Sequence, residues 1–324
     1  MLDAAIVGMG RWGQVLVNSV QSTPEAGIRF VAGTTRTLSK AEAYAKEKDI
    51  RLLPDYDAVI ADPAVKAVVL STPHSQHAEQ VIAAARAGKH VFVEKPFTLS
   101  KASAEAAVKA CRDAGVVMAL GHNRRFLPAV AEIKRMLAAG ELGTLLHVEG
   151  QMSGPGAAGY KAGMWRADRE ESPLGGMGGM GIHMIDMIIN LCGPFAQVTV
   201  DSRAQVHPAI DDTTAMLGRL KAGPSVLFAT IALAPRVWRV ALHGTKAIVE
   251  MDGQERLRFT PLEGEGWVRD FPPTDIERAE LSAFAAAAAG GPAYLLPVEE
   301  AIHGVSVFET MIASAKSGST LAVP

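Results

Sequence analysis

Residues 4–13 read Ala4-Ala5-Ile6-Val7-Gly8-Met9-Gly10-Arg11-Trp12-Gly13. A short apolar run ends in a glycine-rich turn, and Arg11 to Ser22 follows with helical spacing of its apolar residues. The G-x-G-x-x-G pattern is weak alone but gains weight between a strand and a helix. Gly8 permits the tight turn, Gly10 lets a pyrophosphate approach the backbone, and Gly13 lets helix and strand pack closely. The helix N-terminus adds N–H groups and positive dipole character that suit phosphates. On these residues alone, a glycine turn without a ligand stays open as the other reading.

Outward from this turn, strands and helices alternate. Strands are expected at Arg29–Gly33, Ala67–Leu70, His90–Val93 and Val116–Leu120. Helices are expected at Ser39–Lys48, with Ser39 and Glu42 as a capping box, at His77–Ala87 and at Ser100–Asp113. Such alternation implies an α/β fold with a parallel sheet covered on both faces. The pattern then changes. Leu127–Ala139 and Ile182–Leu191 read as helices around a strand at Leu145–Met152 and a glycine-rich, loop-like stretch at 153–181. Consecutive strands follow at Gln197–Val206, Thr213–Leu220, Ser225–Leu233, Val237–Gly244 and Ala247–Met251, implying an antiparallel sheet. Helices return from about Asp275. The expected boundary lies near Gly121, with domains of 1–121 and 122–324.

The chain has 324 residues, enough for two cores, and its 48% apolar and 20% charged composition is that of a soluble globular protein. A net charge of -2 gives no basic excess, so nucleic acid is not an expected partner. The two cysteines, Cys111 and Cys192, have no metal spacing and read as reduced thiols. No metal is expected. No run is long enough to span a bilayer, and the first strand leaves no room for a signal peptide before it. The expected location is the cytoplasm.

Two further stretches carry chemistry. The second strand ends Gly33-Thr34-Thr35-Arg36-Thr37, with no acid to accept from a ribose 2′-OH. Arg36 flanked by hydroxyls, Thr35 among them, suits a 2′-phosphate, so NADP is favoured over NAD. The other reading has Arg36 stacking on adenine with NAD still accepted. Glu94-Lys95-Pro96 directly follows the strand His90–Val93. A lysine at the carboxyl end of a parallel strand faces the ligand crevice, where it can donate to a substrate oxygen. By composition alone, Lys95 reads first as a surface lysine.

Glu94-Lys95-Pro96, the glycine turn and Ser71-Thr72-Pro73 through His77 together resemble the Gfo/Idh/MocA oxidoreductases (glucose–fructose oxidoreductase, inositol dehydrogenase and relatives). Asn123 with Arg124-Arg125-Phe126, and Leu142-Gly143, fit the same pattern. The resemblance implies an N-terminal Rossmann domain and a C-terminal α/β domain with a large open sheet that mediates assembly as a homodimer or homotetramer. It implies that Gly8, Gly10, Arg11, Trp12, Gly13, Thr35, Arg36, Ser71, Thr72, Pro73, His77, Glu94 and Lys95 hold the cofactor. It also makes Lys95 the catalytic lysine. The family's second motif is an aspartate followed four positions later by a histidine. His183 occupies the histidine position and is the expected acid/base. Gly179 occupies the aspartate position, a departure that puts the inositol-like substrate pose in question.

Lys95, Asn123, Arg124, Trp165, Arg166 and His183 are the expected substrate contacts. Trp165-Arg166 suits a sugar face or an anionic substituent, or else anchors its loop. Tyr160 and His122 read more readily as structural, His74 stands either near both cofactor and substrate or as a loop residue, and Asp186 either orients a neighbour or stays a plain helix residue. Met177, Met180, Met184 and Met187 are expected to pack rather than bind metal. The activity expected is hydride transfer between NADP or NAD and a sugar, cyclitol or cyclic polyol. A cofactor-retaining enzyme without net redox, and a non-catalytic dinucleotide sensor, are the alternatives.

Overall fold

The computed structural model describes residues 1–161 and 163–324. The chain forms two compact units, Met1–Asn123 with Asp275–Ile302, and Arg124–Thr274 with His303–Pro324.

In the first unit, β1 (Leu2–Val7) runs into α1 (Arg11–Val20), and β2 (Ile28–Thr34) into α2 (Glu42–Glu47). Next come β3 (Arg51–Leu52), α3 (Tyr56–Ala61), β4 (Ala67–Leu70), α4 (His77–Arg86), β5 (His90–Val93), α5 (Lys101–Asp113) and β6 (Met118–Leu120). The six strands pair in parallel in the order β3-β2-β1-β4-β5-β6. The strand order reverses beside β1, and in such sheets the carboxyl strand ends at that reversal form a ligand crevice. Every residue of β4 is buried, as the strand's unbroken apolar composition requires of a sheet covered on both faces. On α1, Leu16, Val17 and Val20 face inward, each contributing about 1.5–3 kcal/mol by burial.

The second unit opens with α6 (Pro128–Ala138), β7 (Leu145–Ser153) and α7 (Ile182–Cys192). There follow β8 (Phe195–Arg203), β9 (Thr213–Leu220), β10 (Ser225–Ile231), β11 (Val237–Gly244), β12 (Ala247–Asp252), β13 (Arg256–Pro261) and β14 (Trp267–Asp270). The chain then makes α8 (Ile276–Ala288), α9 (Val298–Ser317) and β15 (Leu321–Ala322). The nine-stranded sheet has the order β14-β13-β12-β11-β7-β10-β9-β8-β15 and is antiparallel except where β10 meets β7. Its strands alternate in burial, with Met216, Leu220, Val226 and Phe228 on the core side and Leu217 and Leu227 exposed.

The structure differs from the sequence reading in three places. A single cut near Gly121 does not describe the units, because α8 packs on α1, β2 and β5 of the first unit, Phe284 lying 5.8 Å from Phe92. Ser39 does not cap α2. It lies within a 3-10 turn at Leu38–Lys40, whose N–H groups bond three residues back, and Ala41 occupies the cap. Within 153–181, Met177–Gly181 forms a π-helix that leads directly into α7. Its glycines carry little helical propensity, so no local signal marks it.

The β1–α1 turn makes a paired prediction. A Cβ on Gly13 would run into the Gly8 carbonyl, whereas one on Gly10 would meet nothing within 4 Å among the described residues. Gly13→Ala is expected to lower stability by about 1–3 kcal/mol, as overpacking does. Gly10→Ala is expected to stay within about 0.5 kcal/mol of wild type. Urea unfolding of both variants checks this; equal losses would show that the close approach at Gly13 is not what constrains the turn.

Candidate active site

The first unit gathers its candidate residues at the carboxyl ends of β1, β2, β4 and β5. Gly8 has a φ of +94°, and its N–H donates to the Thr34 carbonyl at 2.9 Å. Gly10 is the N-cap of α1, with no side chain bonded to the first-turn N–H groups and no acid in that turn. A glycine cradle with space at Gly10 and uncapped helix N–H groups fits the pyrophosphate of a dinucleotide. Arg11 is exposed and Trp12 half-buried at its rim, and beyond β2 Thr35 is half-buried and Arg36 exposed.

Ser71, Thr72 and Pro73 follow β4. The Ser71 N–H donates to the Val7 carbonyl at 2.8 Å, and the Thr72 hydroxyl donates to Gln80 Oε1 at 2.6 Å. His77 is wholly buried. Its Nε2 lies 3.1 Å from the Thr72 carbonyl, and its Nδ1 lies 2.9 Å and 3.2 Å from the carbonyls of Pro96 and Phe97. The ring therefore braces the loop after β4 against the turn after β5, and does not present itself to a ligand. Glu94 is buried, and its Oε2 accepts from the Lys95 N–H at 3.3 Å. The Lys95–Pro96 bond is cis, and Lys95 is half-buried. Asn123, expected at the substrate, is instead 1% exposed and donates to Glu277 Oε1 at 3.0 Å, tying α8 to the strand end.

In the second unit, two consecutive arginines engage one side of α7. Arg125 donates to both oxygens of Asp186, Nε at 3.1 Å and 3.0 Å and Nη2 at 2.7 Å, with the side chains 1% and 8% exposed. Arg124 Nη1 lies 3.0 Å from His183 Nε2. Because a guanidinium only donates, Nε2 carries the lone pair and the ring hydrogen sits on Nδ1. His183 and Asp186 are one helical turn apart, so the two arginines set the rotation of α7 about its axis. Gly179 is exposed. The Arg166 guanidinium stacks 4.1 Å from the Trp165 ring centre, Arg166 exposed and Trp165 half-buried. Sequence reasoning did not assign Arg125 its role; its only signal was the doubled arginine, and the partner lies 61 positions away. Among the described residues, no helix is long and apolar enough to cross a membrane.

A parallel sheet in this strand order with a glycine cradle at its switch point defines a dinucleotide-binding protein. Comparison with known proteins narrows the class. Residues 2–122 match the model of the "oxidoreductase family, NAD-binding Rossmann fold", and residues 130–250 match the Gfo/Idh/MocA C-terminal domain. The chain belongs to the Gfo/Idh/MocA oxidoreductase family. It is 38% identical over 155 residues to scyllo-inositol 2-dehydrogenase (NAD(+)) of Bacillus subtilis, a match spanning 47% of this chain and 45% of that protein, just under half its length. It is 27% identical over 276 residues to inositol 2-dehydrogenase of Rhizobium meliloti, covering 83% of this chain and 80% of that one. The same fold recurs in levoglucosan dehydrogenase in complex with NADH and levoglucosan, at a TM-score of 0.89 and 22% identity, covering 100% of this chain and 99% of that one.

The buried Arg125–Asp186 pair yields a stability prediction. Removing one partner strands the other charge, so Asp186→Ala is expected to cost about 3–5 kcal/mol. Chemical denaturation of the single variants and of Arg125→Met with Asp186→Leu measures it. The double variant is expected to recover most of the loss, and additive losses would contradict the pairing.

Proposed function

We propose that this protein is an NAD(P)-dependent oxidoreductase that moves a hydride between the nicotinamide and a hydroxyl or carbonyl carbon of a sugar, cyclitol or related cyclic polyol. The observation that carries this reading is the uncapped glycine cradle at Gly8–Gly13 in the same sheet that holds Lys95 at the carboxyl end of β5. The polyol dehydrogenases among its relatives support the substrate class.

The bound dinucleotide supplies the hydride acceptor or donor. The backbone N–H groups at the start of α1 hold the phosphates, with Arg11 and Trp12 at the rim. Ser71, Thr72 and Pro73 line the nicotinamide end, and His77 and Glu94 act through them as positioning residues. Lys95 donates to the reacting oxygen. His183 takes the hydroxyl proton at Nε2, where the substrate hydroxyl replaces Arg124 as the partner of that nitrogen's one lone pair. Trp165 and Arg166 meet the outer face of the substrate. Arg36, with no acid among residues 34–37, favours NADP over NAD. The division of labour is a dinucleotide unit, Met1–Asn123 with Asp275–Ile302, and a substrate and assembly unit, Arg124–Thr274 with His303–Pro324. Leu217 and Leu227 on the open sheet face support assembly as a homodimer or homotetramer. The location proposed is the cytoplasm.

Titration of the purified protein with NAD, NADH, NADP and NADPH, followed by tryptophan fluorescence, tests the cofactor. The phosphorylated pair is expected to bind more tightly, and Arg36→Ala should weaken it far more than the other pair; equal effects would remove the NADP assignment. Lys95→Ala should keep cofactor affinity while turnover of polyols falls at least about a hundredfold, the scale of one acid/base or polarising group. Undiminished turnover would exclude Lys95. Dinucleotide released only on denaturation, with no net reduction of added cofactor, would favour a cofactor-retaining enzyme instead.

A further inference from the structure

The stretch from Trp165 to the π-helix is a strap of hydrogen-bonded turns. The Asp168 N–H donates to the Trp165 carbonyl at 3.1 Å, Ser172 to Asp168 at 2.8 Å, Gly175 to Ser172 at 3.0 Å and Met177 to Leu174 at 3.2 Å. Asp168 Oδ1 also accepts from the Glu170 N–H at 2.9 Å. The turns overlap, so a shift at one point is carried along the strap to Trp165-Arg166.

The strap is fastened to the turn between β8 and β9. Arg169 Nε donates to the Ala209 carbonyl at 2.9 Å, and Nη1 donates to Asp211 Oδ1 at 3.0 Å. Asp211 Oδ2 accepts from the Ser202 hydroxyl at 2.8 Å, so the carboxylate is itself held. The next residue, Asp212, is buried, and its Oδ2 accepts the N–H groups of Gln205, Val206 and His207 at 3.0, 2.6 and 2.9 Å. These bonds make the β8–β9 turn a firm anchor. Further along, the strap meets the same anchor again. Leu174 and Gly175 both have a φ of +56°, and a Cβ on Gly175 would lie 1.6 Å from the Asp211 carbonyl oxygen. A left-handed conformation is costly for leucine and persists only where its surroundings impose it. Leu174 is buried, and its carbonyl accepts from the Thr214 hydroxyl at 3.2 Å.

Magnitudes separate a positioning role for Arg169 from a stabilising one. Its side chain is 58% exposed, and an exposed ion pair adds little to stability. Placement of a binding group matters far more, since a misplacement of about 1 Å can cost about a hundredfold in rate. We propose that Arg169 is a positioning residue for the substrate. Through Asp211 and Ala209 it fixes the strap, and the strap fixes Trp165 and Arg166, so Arg169 acts on the substrate without touching it. This rests on the reading above that sets Trp165 and Arg166 against the substrate, and deepens it by naming what holds them.

The experiment compares wild type with Arg169→Ala and Arg169→Lys in the whole chain. Hydrogen–deuterium exchange, read by mass spectrometry, reports on the strap without any substrate. Arg169→Ala is expected to speed exchange over residues 165–176 about tenfold, as loss of a local fastening does. Its melting temperature is expected to stay within about 3 °C of wild type. Initial rates of cofactor reduction with myo-inositol and levoglucosan are expected to show KM raised about tenfold and kcat changed by less than about threefold. Cofactor affinity should hold, because the glycine cradle lies in the first unit and Arg169 in the second. Arg169→Lys keeps the charge and is expected to recover part of the KM. Wild-type exchange in Arg169→Ala would overturn the fastening whatever the activity. Faster exchange with unchanged KM values would overturn the positioning role and leave hydride transfer standing. A wild type that turns over neither probe would overturn the polyol reading and the substrate role of Arg169 together, a result distinct from either variant outcome.

Discussion

The first unit is organised by a steric squeeze where β1 becomes α1. The Gly8 carbonyl occupies the space a side chain at Gly13 would need, and the Ser71 carbonyl occupies the space a side chain at Gly8 would need. Three chain segments meet here without side chains between them. The Gly8 N–H bonds to Thr34 beyond the middle of β2, and the Ser71 N–H bonds to Val7. The ends of β1, β2 and β4 are therefore locked in register by main-chain contacts. This closeness lets the start of α1 sit directly over the strand ends, where its N–H groups can face a phosphate rather than a neighbouring loop.

In the second unit the corresponding constraint is electrostatic. Arg125 and Asp186 form a buried, bidentate pair whose desolvation offsets much of its attraction. Its structural effect is geometric. A planar guanidinium holding both oxygens of one carboxylate leaves α7 little freedom to rotate or slide. Arg124, one residue earlier, then meets His183 one turn from Asp186, and the histidine tautomer is set by a donor that cannot accept. Sites of proton transfer depend on such second-line support, because the reacting ring must keep one orientation.

Part of this was readable along the chain. The alternation of strands with helices after the glycine turn implied the parallel sheet, and the consecutive strands from Gln197 onward implied the antiparallel one. The places of Lys95 at a strand end and His183 on a helix were legible, while the roles expected of them came from the family resemblance. Strands at and next to the sheet edges were not. β3 has two residues and β14 four, and β13 and β14 carry charged residues beside their few apolar ones. Asn123 was read as a substrate contact from the family segment that it and Arg124-Arg125-Phe126 resemble; Glu277, to which it donates, is 154 positions away.

The sequence by itself determined the fold class, the cradle and the chemical types at the site, because backbone conformation and local periodicity act over a few residues. Tertiary structure alone decided that α8 returns to the first unit and that Arg125 holds Asp186. Each of these depends on segments distant in the chain meeting through burial or charge. Such pairings are selected by the packing of the whole unit, and no local spacing encodes them.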